Sequence, residues 1–202
     1  MAIDLSDYCC DLLHSEENLE RYRRGGYHPV CLGDIFKDGR YKIYHKLGWG
    51  GFSTVWLAND RECVHQKIFF MIFLTYERQN RWVSLKILIA DHPRESQEIR
   101  NLQLLKERSQ ESLYRKYIVQ LFDSFVHQGP NGQHQCLVFE LLGPTVARII
   151  GEYNEADETI EPRVILRMSE QLLEAIEFIH DAGMGHGGNV KLYLLFSTFC
   201  IH

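Results

Sequence analysis

Two strand-like runs meet at a cluster of glycines, and that meeting constrains the fold more than any other feature. Tyr41 to Leu47 (Y-K-I-Y-H-K-L) alternates and ends in glycines, and Phe52 to Ala58 (F-S-T-V-W-L-A) is rich in β-branched and aromatic residues. Gly48-Trp49-Gly50-Gly51 lies between them. Period-two alternation on both sides of a glycine turn predicts an antiparallel hairpin. Trp82 to Leu88 (W-V-S-L-K-I-L) reads as a third strand and carries Lys86.

A helix is expected next. Ile99, Leu102 and Leu105 recur at helical spacing within Arg94 to Arg108, with Glu95, Glu98 and Lys106 around them. Ile118 to Val126 and Gln135 to Leu141 read as two more strands, joined by the turn signal Gly129-Pro130-Asn131-Gly132. Five antiparallel strands and one helix make a small α+β lobe. After Gly143-Pro144 the pattern becomes helical. Pro162 suits a first helical turn, and Ile165, Met168, Leu172, Leu173, Ile176 and Ile179 follow at helical steps. Ala182-Gly183 predicts the end of that helix.

Composition narrows the function classes. The net charge is −5 with no long basic block, so nucleic-acid binding is not suggested, and Arg21-Tyr22-Arg23-Arg24 reads as a solvated patch. Six cysteines occur without a C-x-x-C pair, which argues against a zinc site and for free thiols in a reducing compartment. His127, His134, His180, His186 and His202 lack metal-ligand spacing and read as surface or structural. The apolar runs Lys67–Tyr76 and Leu192–Ile201 each supply only about half of the ~20 residues that a membrane helix needs. No membrane association is expected.

Glycines between paired strands let backbone N–H groups approach a polyphosphate without Cβ clashes. A lysine on the next strand would then meet phosphates, and a helix carboxylate would hold that lysine in place. The candidate parts are Gly48, Gly50, Ser53, Val55, Lys86 and Glu98. Taken alone, the glycine run is equally a plain hairpin turn, and the alternative for Glu98, outweighed by the paired role, is a solvated helix carboxylate.

A longer string widens the reading. Gly26-Tyr27-His28-Pro29-Val30, Leu32-Gly33-Asp34, Gly39-Arg40-Tyr41 and Lys46-Leu47-Gly48-Trp49-Gly50 lead into Phe52-Ser53-Thr54-Val55-Trp56-Leu57. This series resembles the N-lobe of the serine/arginine-rich protein kinases. Val83–Lys86, Leu121–Phe125, Leu137–Gly143 and Gln171–His180 continue the likeness. It covers roughly residues 15 to 62 and 81 to 189.

The resemblance implies a kinase-like N-lobe, with only the first helices of a C-lobe. It implies ATP and Mg2+ as cofactors and Arg/Ser-rich proteins as substrates, in the cytoplasm and/or nucleus. By the same likeness, Leu47, Gly48, Gly50, Ser53 and Val55 belong to the loop over ATP, although Ser53 stands where a third glycine is usual. Lys86 is the phosphate-contacting lysine and Glu98 its partner. Phe139 backs the adenine pocket, and Glu140 to Leu142 form the hinge. The implied organisation is an N-terminal extension over 1–26, the N-lobe and hinge over 27–143, the start of the C-lobe over 144–189 and an atypical tail over 190–202.

Two departures accompany the likeness. Thirty residues separate Val55 from Lys86, and removing the 17 residues Cys63 to Gln79 restores a family-like connection. His186 and Asn189 fit the two ends of a catalytic loop, Asn189 as a metal ligand, but Gly187-Gly188 between them supplies no aspartate. Both departures are read as errors or variants of splicing, one a retained short intron and one a premature exit from the reading frame. The expectation is weak or absent ATP binding and no phosphotransfer by the chain as written.

Overall fold

The computed structural model describes residues 17–61, 81–92, 97–109, 118–143 and 146–185. The expectations placed on 63–79, His186, Asn189 and the 190–202 tail lie outside the described residues. The described chain forms one antiparallel sheet of six strands in the order β1-β2-β3-β4-β6-β5. These strands are β1 (Ile35–Phe36), β2 (Tyr41–Gly50), β3 (Ser53–Asp60), β4 (Arg81–Leu88), β5 (Leu121–Gly129) and β6 (Gly132–Glu140). Three helices accompany the sheet: α1 (Gln97–Ser109), α2 (Val146–Glu155) and α3 (Pro162–Asp181).

The expected five strands are present, and β1 is the addition. It pairs Ile35 with Lys42 and Phe36 with Tyr41 across a turn at Lys37-Asp38-Gly39. Two residues are too few to show a period, so no alternation could announce it. The Asp38-Gly39 turn dipeptide was the available signal; Asp38 (φ 52°) and Gly39 (φ 95°) both take left-handed conformations. β5 starts three residues later than expected. Ile118 and Val119 are buried against the helices instead of pairing in the ladder.

Side chains sort by strand parity onto two faces. Tyr41, Ile43, Trp56, Ala58, Val83, Leu85, Ile87, Cys136 and Val138 form one core, which Phe36 and Val30 cover. Leu85 and Val83 are fully buried, and truncating such a residue to alanine costs about 3 kcal/mol. On the opposite face Leu137 and Phe139 pack with Leu121, Val119 and the α1 residues Ile99 and Leu102. The alternation Cys136, Leu137, Val138, Phe139 in β6 therefore serves both cores, which explains why that stretch of the strand is apolar without a break.

Two helices leave the lobe. α3 opens with Pro162 at its first turn and closes with Gly183 at φ +77°. The Gly183 N–H donates to His180 O (2.8 Å) and the Met184 N–H to Ile179 O (3.1 Å), a double bond set that satisfies the last carbonyls. Ala175 and Phe178 bury one face of α3 against Ile118 and Leu105, whereas Ile165, Leu166 and Leu173 remain exposed. Among the described residues, no helix is long and apolar enough to cross a membrane.

Candidate functional site

The register of the sheet lines up the candidate residues. Gly48 pairs with Val55, Val55 with Lys86 and Lys86 with Leu137. Residues directly opposite in adjacent strands share a face, and strands lie about 4.8 Å apart. Lys86 thus lies about 10 Å from Gly48 across the sheet. Because Leu137 belongs to the core under α1, Lys86 rises on the same face as that helix. Its Nζ donates to Glu98 Oε1 on α1, and both side chains are about one-fifth exposed (20% and 23%). The structure therefore brings Glu98 to Lys86.

Irregularities in β2 shape the near wall. Pairing slips between Ile43 and His45 and again between Lys46 and Gly48. Each slip is a bulge that turns a side chain off the regular alternation. Leu47 is left half exposed beside the turn, and Trp49 and Phe52 are exposed at its tip. Ser53 is buried, and Gly50 opposes it in the last rung of the hairpin.

Among the described residues, the glycines of the turn have no internal explanation: a Cβ at Gly48 or Gly51 would meet nothing within 4 Å, and one at Gly50 would only touch Ser53 Oγ at 4.0 Å. None of the three has a left-handed φ. Among the described residues neither packing nor backbone conformation accounts for glycine here, and the turn leaves its backbone open to an approach from outside. A polyphosphate fits that description, because it needs uncovered N–H groups.

At the far end, Phe139 is buried among Leu121, Leu137 and Ile99, with Leu142 packed against the same cluster. The Glu140 carboxylate accepts from the Gln120 N–H (2.8 Å), and the Glu140 N–H donates to Gln120 O (3.1 Å). Glu140 thus fastens the end of β6 to the entry of β5, and Leu141 is exposed beside it. His186 and Asn189 lie outside the described residues. Among the described residues, no group of three or more His, Cys, Asp or Glu side chains is placed to hold a metal ion.

The sequence reading passed over what lies behind the turn. Tyr27 is buried, and its hydroxyl donates to Gly50 O at 2.7 Å. Arg21 Nη2 donates to Gly51 O, and its guanidinium stacks over the Tyr27 ring (4.7 Å). Arg21 is therefore engaged with the turn and not simply solvated. Gly25-Gly26 acts as a joint held at both residues. Gly25 N–H donates to Asn131 O, Asp91 N–H to Gly25 O and Ala90 N–H to Gly26 O. The one available signal was the Gly26–Val30 motif, which carried a likeness but no role.

Relatives of known name share this chain's pattern. Protein kinase dsk1 of Schizosaccharomyces pombe is 41% identical over 175 residues, covering 85% of this chain and 29% of the relative. Serine/threonine-protein kinase SRPK of Physarum polycephalum is 40% identical over 174 residues, covering 84% of this chain and 36% of the relative. SRSF protein kinase 3 of Homo sapiens is 34% identical over 168 residues, covering 82% of this chain and 26% of the relative. The chain thus spans about a third or less of these curated relatives. No family model matches the sequence. A crystal structure of a kinase domain superposes with a TM-score of 0.51 at 17% identity, covering 77% of this chain and 39% of that one. That likeness concerns the fold alone.

Proposed function

The chain belongs to the serine/arginine-rich protein kinase-like family over the stretch it shares with these relatives, and on that premise we propose that its sheet and α1 form an ATP-binding lobe. The carrying observation is the Lys86–Glu98 contact on the face that adjoins a glycine turn for which the described residues show no internal need of glycine.

In this reading the backbone N–H groups of the turn face the phosphates, which is the task an uncovered glycine run suits. Lys86 contributes a cation to the α and β phosphates, and Glu98 holds its ammonium in place. Val55, Leu47 and Phe139 supply apolar surface toward the purine, and Glu140 to Leu142 offer backbone groups at its edge. Gly48 and Gly50 leave that backbone uncovered, and Ser53 closes the last rung of the hairpin opposite Gly50. ATP supplies the transferable phosphoryl group and Mg2+ the neutralising charge. Asn189 is the one protein ligand assigned to the metal.

At family level the activity is phosphorylation of serine in Arg/Ser-rich proteins, in cytoplasm or nucleus. This chain contributes binding without transfer, because the run His186-Gly187-Gly188-Asn189 carries no carboxylate to accept the hydroxyl proton. Thermal unfolding with and without MgATP tests the binding. A ligand at 100 times its Kd adds about 2.7 kcal/mol, and Lys86→Met is expected to abolish that gain while leaving the apo melting temperature within a few degrees. No ATP-dependent shift in the wild type would refute nucleotide binding. Phosphate transfer to an Arg-Ser peptide would refute the absence of catalysis.

The exposed Ile165, Leu166 and Leu173 of α3 favour a second reading, a partner-binding fragment. Concentration-dependent self-association or co-purification lost on Leu166→Glu, without any nucleotide effect, would favour it.

A further inference from the structure

The segment before β1 straps the glycine turn from behind. Its anchor is a short 3-10 turn, Leu19–Arg21, capped by Asn18, whose Oδ1 accepts from the Glu20 N–H at 2.8 Å. The Tyr27 N–H returns to Arg21 O (2.9 Å), closing a compact loop. A Cβ on Gly26 would lie 1.9 Å from Arg21 O, so only glycine permits that closure. The strap is tied to the sheet in several places. Asn131 Nδ2 donates to Tyr27 O (2.6 Å), and Gly25 and Gly26 bond Asp91, Ala90 and Asn131 through their backbones. Tyr22 and Lys46 both donate to the buried Glu17 carboxylate. Lys46 in turn lies over the rings of Trp49 (5.9 Å) and Trp56 (5.4 Å).

From this frame two donors reach the turn: the Tyr27 hydroxyl on Gly50 O and the Arg21 guanidinium on Gly51 O. A trans peptide is planar, so its C=O and the following N–H point in opposite directions. Fixing Gly50 O therefore fixes the Gly51 N–H on the opposite side of its peptide plane. Fixing Gly51 O does the same for the Phe52 N–H. The far side of the tip is held too, because the Ile89 N–H donates to Phe52 O (3.0 Å). Glycines give the tip freedom that phosphate binding would otherwise have to remove at an entropic cost. The strap removes it beforehand.

We infer that Tyr27 and Arg21 are positioning residues that orient the Gly51 and Phe52 N–H groups toward the polyphosphate of a nucleoside triphosphate. This rests on the nucleotide reading above. The two residues touch the turn from behind and need not touch the ligand. Their loss therefore weakens affinity for the phosphates and leaves affinity for the nucleoside unchanged.

The test compares the full chain with its Tyr27→Phe and Arg21→Gln variants. MgATP and adenosine binding are measured by equilibrium titration, and backbone amide exchange over Gly48–Ser53 is followed without ligand. Each variant is expected to weaken ATP binding about 10-fold, the scale of one lost hydrogen bond. Adenosine binding should stay within 2-fold, and exchange in the turn should accelerate. Equal losses for ATP and adenosine, or unchanged turn exchange in both variants, would overturn the inference. Arg21→Gln sits at a partly exposed position, so it keeps the test alive if Tyr27→Phe fails to fold. Should the wild type bind ATP no better than adenosine, the nucleotide reading fails by itself. Turn exchange then decides whether the strap orders the turn: acceleration supports it and no change refutes it.

Discussion

Acid should loosen this lobe through His28. The His28 ring is buried between Gly129 and three aromatic neighbours: Phe36 of β1 (5.7 Å between centroids), His127 of β5 (4.7 Å) and His134 of β6 (4.9 Å). His134 Nδ1 lies 2.8 Å from Leu88 O, and only a protonated Nδ1 can bond a carbonyl. Its Nε2 is then an acceptor, and among the described residues it is buried without a partner, as is His28 Nδ1. A proton placed there charges a group with no acceptor and two like neighbours. Burial first, then the His127 and His134 charges, push the His28 pKa down from 6.5 to about 4, against a small opposing pull from Asp34. Burial lowers His134 and His127 as well. A histidine whose folded pKa is depressed contributes its full stability above the unfolded value and loses it as pH falls toward the folded value. Between pH 7 and pH 5, His28 alone should remove about 2 kcal/mol of stability. Glu17 and Asp123 are held below their ordinary 4.5 and 3.8, so their losses fall at lower pH and leave this window to the histidines. Urea unfolding followed by tryptophan fluorescence at the two pH values measures the difference. His28→Leu should flatten the dependence by about 2 kcal/mol, whatever it does to stability at pH 7. Wild-type stability equal at both pH values, or a His28→Leu protein with the wild-type dependence, refutes the reasoning.

The remaining predictions concern the sheet. Asp60 and Arg81 form a rung on either side of the 17-residue run Cys63–Gln79, so deleting that run leaves a short hairpin loop and should raise stability by up to ~2 kcal/mol through loop closure alone; a drop in melting temperature would refute this. Sequencing the transcript across the codons for 62–80 and 186–202 tests the splicing reading, and abundant message encoding both stretches would sink it. Asp60 is buried against Arg40 (2.8 Å) and Arg81 (3.1 Å), so Asp60→Ala should cost about 3 kcal/mol, measured by chemical denaturation. The Tyr41 hydroxyl donates to Asp123 Oδ2 (2.7 Å), so Tyr41→Phe should cost about 1–2 kcal/mol. A Cβ on Gly129 would fall 2.3 Å from His28 Nδ1, so Gly129→Ala should destabilise the wild type and be nearly neutral in a His28→Ala background; equal costs in both would deny that contact.

Much of the fold was legible because its elements are long and locally consistent. β2, β3 and β4 carry clear parity, and α3 shows both its first-turn proline and its closing glycine. The approach of Glu98 to Lys86 was also legible, though its alternative, a solvated carboxylate, could be dismissed only in three dimensions. Legibility failed where contacts are non-local. Tyr27 reaches Gly50 across 23 positions and Asn131 reaches Tyr27 across 104. No local pattern encodes either contact. In sequence Gly25-Gly26 signals freedom, because glycine is conformationally permissive. Here it marks crowding, since a side chain at either position would collide with Asp91 or Arg21. The histidines likewise read as scattered until β5 and β6 paired His127 with His134 beneath His28.

The brevity of β1 has a consequence for how the molecule behaves in a crowd. A sheet edge is a row of unmet donors and acceptors, and a long flat one recruits strands from neighbouring chains. This edge offers only two residues before Lys37 and Asp38 bend it away at φ 50° and 52°. Gly33 and Asp34 then turn their backbone groups inward onto Ile43. A second chain docking on β1 itself would find only two residues of ladder, so extension of that strand is limited by geometry and does not depend on charge.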